Sequence, residues 1–469
     1  MESDKLKDEC GVFGLWSPQS SETTAKVIYY GLWALQHRGQ ESAGIAVSKD
    51  GQINYHKAMG LVSEVFNNEK LASLIGHTGI GHVRYSTTGD SHLVNAQPLV
   101  VKFRNKQIAL GHNGNLVNAG EIRKELEDQG VIFQTTIDTE VIANLFARNY
   151  SFNLEITIRS IMEKVKGAFA LVAIVDDKLI GVRDSYGLRP LCFGKKDDTW
   201  VIASESCALD TVGATLIRDV LPGEMIVIDS DGLKTVQITN PRRKHSCIFE
   251  LIYFARPDSI IDGVTANSYR YKTGRILAQE SFVQADRIIG VPDSGTPAAI
   301  GFSEQSGIPY GVGLIKNRYI GRTFIQPTQE LREMGVMIKL NVLKKNVEGK
   351  RVVVIDDSIV RGTTSRRIVE MMRNAGAKEV HFRVSSPPVA YPCHFGIDTP
   401  NKSELIGSTM DLEAIRKLIG SDTLAFLSVP GMLKATGKGK GYCRACFTGK
   451  YPMQVPNVGD KFLFEKNCC

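Results

Sequence analysis

Two adjacent carboxylates, Asp356 and Asp357, stand just ahead of Arg361-Gly362-Thr363-Thr364-Ser365 in the stretch Val352–Ser365. A carboxylate pair suits hydroxyls or a metal ion, while hydroxyls and free N–H groups at a helix start suit a phosphate. A ligand carrying both hydroxyls and a phosphate satisfies both ends. A second turn, Pro292-Asp293-Ser294-Gly295-Thr296-Pro297, is small enough for backbone to approach a pyrophosphate, or else uses Ser294 or Thr296 as an ordinary helix cap. Cys443-Arg444-Ala445-Cys446 forms a C-x-x-C, with Cys247 and Cys393 as distant partners. Four thiolates hold zinc or an iron–sulfur cluster, and spacing does not choose between them.

The elements around these residues follow from their patterns. Arg351–Ile355 is a β-branched run short enough for a buried parallel strand, and helical spacing extends over Thr364–Asn374 up to Gly376. The acidic pair therefore falls at the carboxyl end of a strand, where open α/β sheets bind ligands. A Walker-B strand end is the other reading, but the chain has no G-x-x-x-x-G-K-[ST] to accompany it. Around this unit, a helix over 269–284, a strand over 286–291, a helix from Thr296 and a strand over 310–315 give the rhythm of a parallel sheet.

The first half reads differently. A helix is expected over Glu22–Leu35, and strands over Gln107–Gly111, Ala168–Val175, Lys178–Val182 and Trp200–Ser204, separated by turns such as Asp176-Asp177. Among them lie Cys10-Gly11-Val12-Phe13-Gly14, Leu35 to Gly44, Gly81 to Thr87, His112-Asn113-Gly114-Asn115-Leu116 and Asp138-Thr139-Glu140. Composition shifts at Thr239–Lys244, which marks a linker.

Length and composition bound the rest. A chain of 469 residues exceeds one core and implies two or three domains. The longest apolar run, Ala168–Val175, is far too short to span a bilayer, and MESDKLKDE has no apolar segment of a secretory signal. The chain is read as cytoplasmic, without a membrane partner. A formal charge of +7 suits polyanionic small substrates, and the short basic runs Arg242–Lys244 and Lys434–Arg444 read as solvated surface, so no nucleic-acid partner is expected. Nine cysteines without an export signal argue against a disulfide framework. Cys192 and Cys207 read as packed thiols.

Val352–Ser365 resembles the phosphoribosylpyrophosphate (PRPP) motif of the type I phosphoribosyltransferases. The five spaced pieces of the first half resemble the N-terminal-nucleophile glutamine amidotransferases. Together these resemblances imply an αββα sandwich over residues 10–238, a parallel-sheet phosphoribosyltransferase domain over 245–425, and a tail over 426–469. They imply that residues 1–9 are a leader whose removal exposes Cys10 as the nucleophile, its own α-amine shuttling the proton. Asn113 and Gly114 become the oxyanion donors, Arg84 the partner of the glutamine carboxylate and Asp138 that of its ammonium. In the second domain Asp293, Ser294, Gly295 and Thr296 take the pyrophosphate, Asp356 and Asp357 the ribose hydroxyls, and Arg361, Gly362, Thr363 and Thr364 the 5-phosphate. Mg2+ is expected near Ser294, Asp356 and Asp357. The span from Asn317 to Gln329, including Arg322, resembles the loop that closes over PRPP.

The implied reaction consumes PRPP, glutamine and water and yields 5-phosphoribosylamine, glutamate and pyrophosphate, the entry step of purine synthesis. The branch that combines a leader with these cysteines carries one [4Fe-4S] cluster, which implies Cys247, Cys393, Cys443 and Cys446 as its ligands. A homotetramer inhibited by purine nucleotides is implied as well. Another amidotransferase, such as a hexosamine-phosphate or asparagine synthase, has no need of the Asp356 motif. A PRPP-sensing regulator has no need of Cys10, Arg84, Asn113 and Asp138 together.

Overall fold

The computed structural model describes residues 10–86, 89–239, 242–317, 340–399 and 401–455. The expected leader, Arg322 with most of its loop, and Cys468 and Cys469 lie outside the described residues.

The first half builds thirteen strands: β1 (Gly11–Ser21), β2 (Ser42–Lys49), β3 (Gln52–Met59), β4 (Gly76–Arg84), β5 (Leu99–Phe103), β6 (Lys106–Leu116), β7 (Gly167–Val175), β8 (Lys178–Arg183), β9 (Cys192–Lys196), β10 (Thr199–Ala203), β11 (Thr215–Asp219), β12 (Glu224–Asp229) and β13 (Gly232–Gln237). They form two antiparallel sheets, ordered β11-β9-β10-β1-β4-β2-β3 and β13-β12-β8-β7-β6-β5. Alternation along the strands sends one set of side chains between the sheets and the other towards helices. Val12, Ile80, Val172, Ile202 and Ile226 fill the space between the sheets. Phe13, Ile45 and Val83 meet Ile28 and Leu32 of the helix Thr23–Ala34 on one side. Leu110, Leu171 and Val182 meet Val141, Phe146 and Ile161 of the helices Thr139–Asn149 and Leu154–Lys164 on the other. Each fully buried aliphatic side chain in these layers contributes about 1.5–3 kcal/mol. The result is the αββα sandwich. Asp176 and Asp177 turn β7 into β8 with φ of 50° and 60°, a conformation short polar side chains tolerate.

The second half begins with β14 (Ser246–Cys247), a π-helical turn (Glu250–Phe254) and a small hairpin, β15 (Ile260–Ile261) and β16 (Val264–Thr265). Its parallel sheet runs β17 (Arg287–Gly290), then, after the two-stranded ribbon β18 (Leu314–Lys316) and β19 (Leu340–Val342), β20 (Arg351–Asp356), β21 (Glu379–Val384) and β22 (Thr423–Phe426), in the order β17-β20-β21-β22. Val353 and Ile355 face the layer with helices Ala266–Glu280 and Gly295–Ser306, while Val352 and Val354 face the layer with Thr363–Asn374 and Leu412–Ile419. Both faces being covered explains why β20 reads as a continuous apolar run. The last strand, β23 (Tyr442–Cys443), returns to pair in parallel with β14.

Three elements differ from the expectation. β6 does not stop at Gly111 but runs through His112–Asn115, paired with β7 throughout. The helix expected over 269–284 occupies Ala266–Glu280; Ser281 ends it and Phe282 points to solvent. The strand expected over 310–315 shrinks to a bridge between Ile288 and Tyr310 and the short β18, because Gly311 and Gly313 bring the chain against Arg287 and Ile289.

The two halves are joined by buried charge. Arg183 of β8 donates two hydrogen bonds to Asp262, at 2.9 and 3.0 Å, with both side chains buried. No helix among the described residues is long and apolar enough to cross a membrane.

Candidate active sites

Cys10 is the residue before β1. The pairing of Gly11 with Val83 sets it beside Arg84 at the end of β4, where its thiol donates to the Tyr85 carbonyl at 3.3 Å. Burial pushes the thiol up to about 11; Arg84 opposes this, and Glu41 and Asp138 reinforce it. At neutral pH such a thiol needs a proton acceptor at hand to become a nucleophile.

Arg84 is buried, so it is no surface ion pair. Its guanidinium donates to the carbonyls of Gly89 and Asp90 at 3.2 Å each and lies 3.8 Å from Glu41. Asp138 precedes the helix Thr139–Asn149 without capping it. It turns instead to β6, accepting from the Leu116 amide at 2.9 Å, with His112 Nδ1 3.4 Å away. The ring of His82 donates to the His112 carbonyl at 2.9 Å and, because burial lowers its pKa to about 3, stays neutral.

Between these groups, inside β6, lie Asn113 and Gly114. The side-chain Nδ2 of Asn113 is buried with no hydrogen-bond partner among the described residues. Buried donors are rarely left so, and one aimed at a site where charge develops during reaction is the common exception. Gly114 has φ of +147°, and a Cβ there would fall 2.0 Å from the Ala168 carbonyl oxygen, so only glycine keeps the strand paired.

In the second domain Asp356 and Asp357 close β20, each 1% exposed. Asp357 accepts from Ser294 at 2.5 Å and Ser358 at 2.6 Å, and Asp356 accepts from the Asp357 amide at 2.9 Å. Gly295 opens the helix Gly295–Ser306 so near β20 that a Cβ would sit 2.5 Å from the Ile355 oxygen. The Ser294 turn and the acidic pair thus share one rim. Gly362, at φ +84°, is the N-cap of the helix Thr363–Asn374, which begins one residue earlier than expected. Arg361 reaches Glu404 at 2.9 Å, and Asp293 pairs with Lys316 at 2.7 Å. A cleft of about 490 Å³ opens beside this rim, lined by Asn267, Tyr271, Asp293, Thr296 and Lys316 but by neither Asp356 nor Asp357.

The distant cysteines converge. β14 and β23 set Cys247 opposite Cys443, and Cys446 lies in the helical turn Ala445–Thr448, its carbonyl accepting from the amides of Ala390 and Tyr391. Burial pushes the Cys443 thiol up to about 12 and Cys446 well above its ordinary value; Cys247, Cys443 and Cys393 each raise Cys446 further. Among the described residues, no three His, Cys, Asp or Glu side chains are grouped to hold a single metal ion. Cys192 and Cys207 are buried, as expected of packed thiols.

One group escaped the sequence. Arg38 is 1% exposed; its Nε donates to the Cys10 carbonyl at 3.1 Å, and its two Nη atoms reach Glu250 at 2.9 and 2.8 Å. Nη1 also meets Glu205 at 2.5 Å. Burial alone would raise the Glu205 carboxyl, but His37 and Arg38 hold it well below the usual range. Arg38 lies in a segment that stands out in the sequence, yet nothing in spacing reveals that it meets Glu205, or that Glu250 of the other domain joins them.

A glutamine amidotransferase domain model matches residues 82–211, and a phosphoribosyl transferase domain model matches 265–386. The amidophosphoribosyltransferase of Bacillus subtilis is 52% identical, covering 96% of this chain and 95% of its own. That of Archaeoglobus fulgidus is also 52% identical, covering 95% and 98%. The solved glutamine PRPP amidotransferase of B. subtilis, complexed with ADP and GMP, superposes with a TM-score of 0.90 at 51% identity, over 96% of this chain and 98% of that one.

Proposed function

The chain belongs to the amidophosphoribosyltransferase family, and from that premise we propose how its two sites divide the work. It carries out the first committed step of de novo purine biosynthesis: glutamine is hydrolysed, and the ammonia displaces pyrophosphate from PRPP to give 5-phosphoribosylamine.

The observation that carries the glutamine half is the unpartnered amide of Asn113 in a strand beside a buried cysteine. Cys10 Sγ attacks the side-chain amide carbon, and Asn113 with the Gly114 N–H stabilises the oxyanion. Ammonia leaves, and water hydrolyses the thioester to glutamate. Arg84 holds the substrate carboxylate and Asp138 its ammonium. A thiol held near pKa 11 supports the need for a base, which the α-amine of Cys10 supplies once residues 1–9 are removed.

In the second half Asp356 and Asp357 face the ribose hydroxyls, Thr363, Thr364, Gly362 and Arg361 hold the 5-phosphate, and Asp293, Ser294, Gly295 and Thr296 the pyrophosphate. The buried acidic pair with Ser294 fits Mg2+, which when bound neutralises the departing pyrophosphate. Cys247, Cys393, Cys443 and Cys446 fit a [4Fe-4S] cluster. Supporting this are their mutual approach and the unfavourable burial of their thiols, which metal binding offsets by taking them as thiolates. Purine nucleotides are the expected inhibitors, by analogy with the B. subtilis complex, and the assembly is a homotetramer in the cytoplasm.

The test compares three proteins: the mature chain, the chain retaining residues 1–9, and Cys10→Ala. Only the first should use glutamine, and all three should use ammonia. Glutamine use by the unprocessed chain contradicts the assignment.

A further inference from the structure

The segment His394–Gly396 belongs to the second domain in sequence, yet it lies against the amidotransferase strand at its most sensitive point. Gly396 has φ of +105°, and a Cβ on it would fall 3.0 Å from the Gly114 carbonyl carbon and 3.1 Å from its Cα. A Cβ on Gly114 itself would meet the Ala168 oxygen of β7. The Gly114 peptide is therefore held between β7 and the loop of the other domain, with glycine at both points of approach. Two further bonds fix the loop there. The Asn115 amide donates to the His394 carbonyl at 3.0 Å, and Arg189, fully buried, donates from Nε to the Phe395 carbonyl at 2.7 Å. Phe395 packs with Ala168 and Leu188, which closes the unit from behind.

We propose that His394–Gly396 is a positioning element of the glutaminase, through which the phosphoribosyltransferase domain holds the Asn113–Gly114 oxyanion hole in register. This rests on the reading of Asn113 and Gly114 as oxyanion donors. The physical reason is geometric. A donor works only where the tetrahedral oxygen will be, and a misplacement of about 1 Å costs about a hundredfold in rate. An extended strand edge cannot fix its own peptide planes to that tolerance, whereas a peptide packed from both sides has no room to tilt. Glutamine hydrolysis is thereby tied to the docking of the acceptor domain, so the site that releases ammonia is complete only where the site that consumes it is present. Within the loop, the Phe395 N–H donates to Cys393 Sγ at 3.3 Å, which ties its start to its centre.

Gly396→Ala in the full mature chain tests this. The added methyl crowds Gly114 and Arg189 by a few tenths of an ångström and, at a φ of +105°, strains the loop itself, so Asn115→Ala, which adds no bulk, is read beside it. The expected result is a fall in glutaminase kcat on the order of ten- to a hundredfold, with KM for glutamine and ammonia-dependent synthesis unchanged. Inactivation by 6-diazo-5-oxo-L-norleucine, whose ketone enters the same oxyanion hole, should slow by the same factor at saturation, with its half-saturating concentration held. Asn115→Ala, which removes the bond to His394 without adding bulk, should move the same constants in the same direction. Asn113→Ala separates the two levels. If it leaves the inactivation rate unchanged, the oxyanion assignment itself fails. If it slows inactivation while Asn115→Ala and Gly396→Ala do not, the oxyanion hole stands and the positioning role is overturned. A rise in KM, or a parallel loss of ammonia-dependent synthesis, in both loop variants would show that the loop merely holds the fold, and overturns it too.

Discussion

Replacing Asn113 by alanine should separate catalysis from stability. In the resting site the Asn113 amide nitrogen is buried without a partner, so the substitution removes no hydrogen bond made by that group. Leaving such a donor unsatisfied costs about 1–3 kcal/mol. Its removal recovers part of that, against the packing lost with the carboxamide, and the net change should stay within about 1 kcal/mol, a shift of about 2–4 °C in Tm at most. The transition state is different. In the proposed mechanism the amide donates there to the oxyanion, and the loss of one such donor raises the barrier by about 2.7–4 kcal/mol, about 10²–10³ in kcat. The assay is glutamate release under saturating glutamine, beside ammonia-dependent synthesis and a thermal melt on the same preparation. The expected outcome is a glutaminase lowered by two to three orders of magnitude, with synthesis from ammonia and Tm nearly unchanged. A kcat within about threefold of the parent, under about 0.7 kcal/mol, would refute the reasoning, as would a melt that collapses along with the activity.

Other consequences follow from the same geometry. In the chain retaining residues 1–9, the raised pKa of Cys10 means that its thiolate appears only as pH climbs, so its alkylation rate should keep rising to about pH 11, where an ordinary thiol levels off near 8.5; a plateau near 8.5 contradicts the burial argument. Because the folded thiol keeps its proton to higher pH than the unfolded one, its contribution also makes stability fall between about pH 9 and 11. Asp262→Ala leaves the buried Arg183 guanidinium without its carboxylate and should cost about 3–5 kcal/mol in denaturant unfolding, while a paired Arg183→Met, Asp262→Leu change should recover most of it. Protein purified without oxygen should carry about four irons per chain and the brown charge-transfer absorbance of a cubane; stoichiometric zinc in place of iron contradicts the cluster assignment.

Much of this architecture is legible in the chain because local pattern and tertiary role agree. β20 is a β-branched run between two covered faces, and its acidic pair falls at the strand end because the run stops there. The Asp176-Asp177 turn needs two residues that tolerate positive φ, and the sequence supplies them. Where pattern and role part, the reading slips. The strand that the pattern ends at Gly111 continues through His112–Asn115, because pairing with β7 holds it, and within that pairing Gly114 takes a φ of +147°. Arg38 sits in a motif visible by its spacing, but its partners Glu205 and Glu250 are 167 and 212 residues away; the folding of the first domain brings Glu205 to it, and the packing of the second adds Glu250. The cysteines fall between these cases: the C-x-x-C is local, while the approach of Cys247 depends on β14 pairing with β23.

The proposed division of work puts two distinct reactions in one chain, linked by ammonia and by the packing of the acceptor domain against β6. It is tested most directly by Asp357→Asn, which removes charge from the buried rim beside Ser294 without altering its shape. Phosphoribosylamine formation should be measured with glutamine and with ammonia side by side, together with basal glutamate release. The account predicts that both synthetic rates fall together while glutamate release at Cys10 persists. Loss of glutamate release with synthesis from ammonia intact would contradict it.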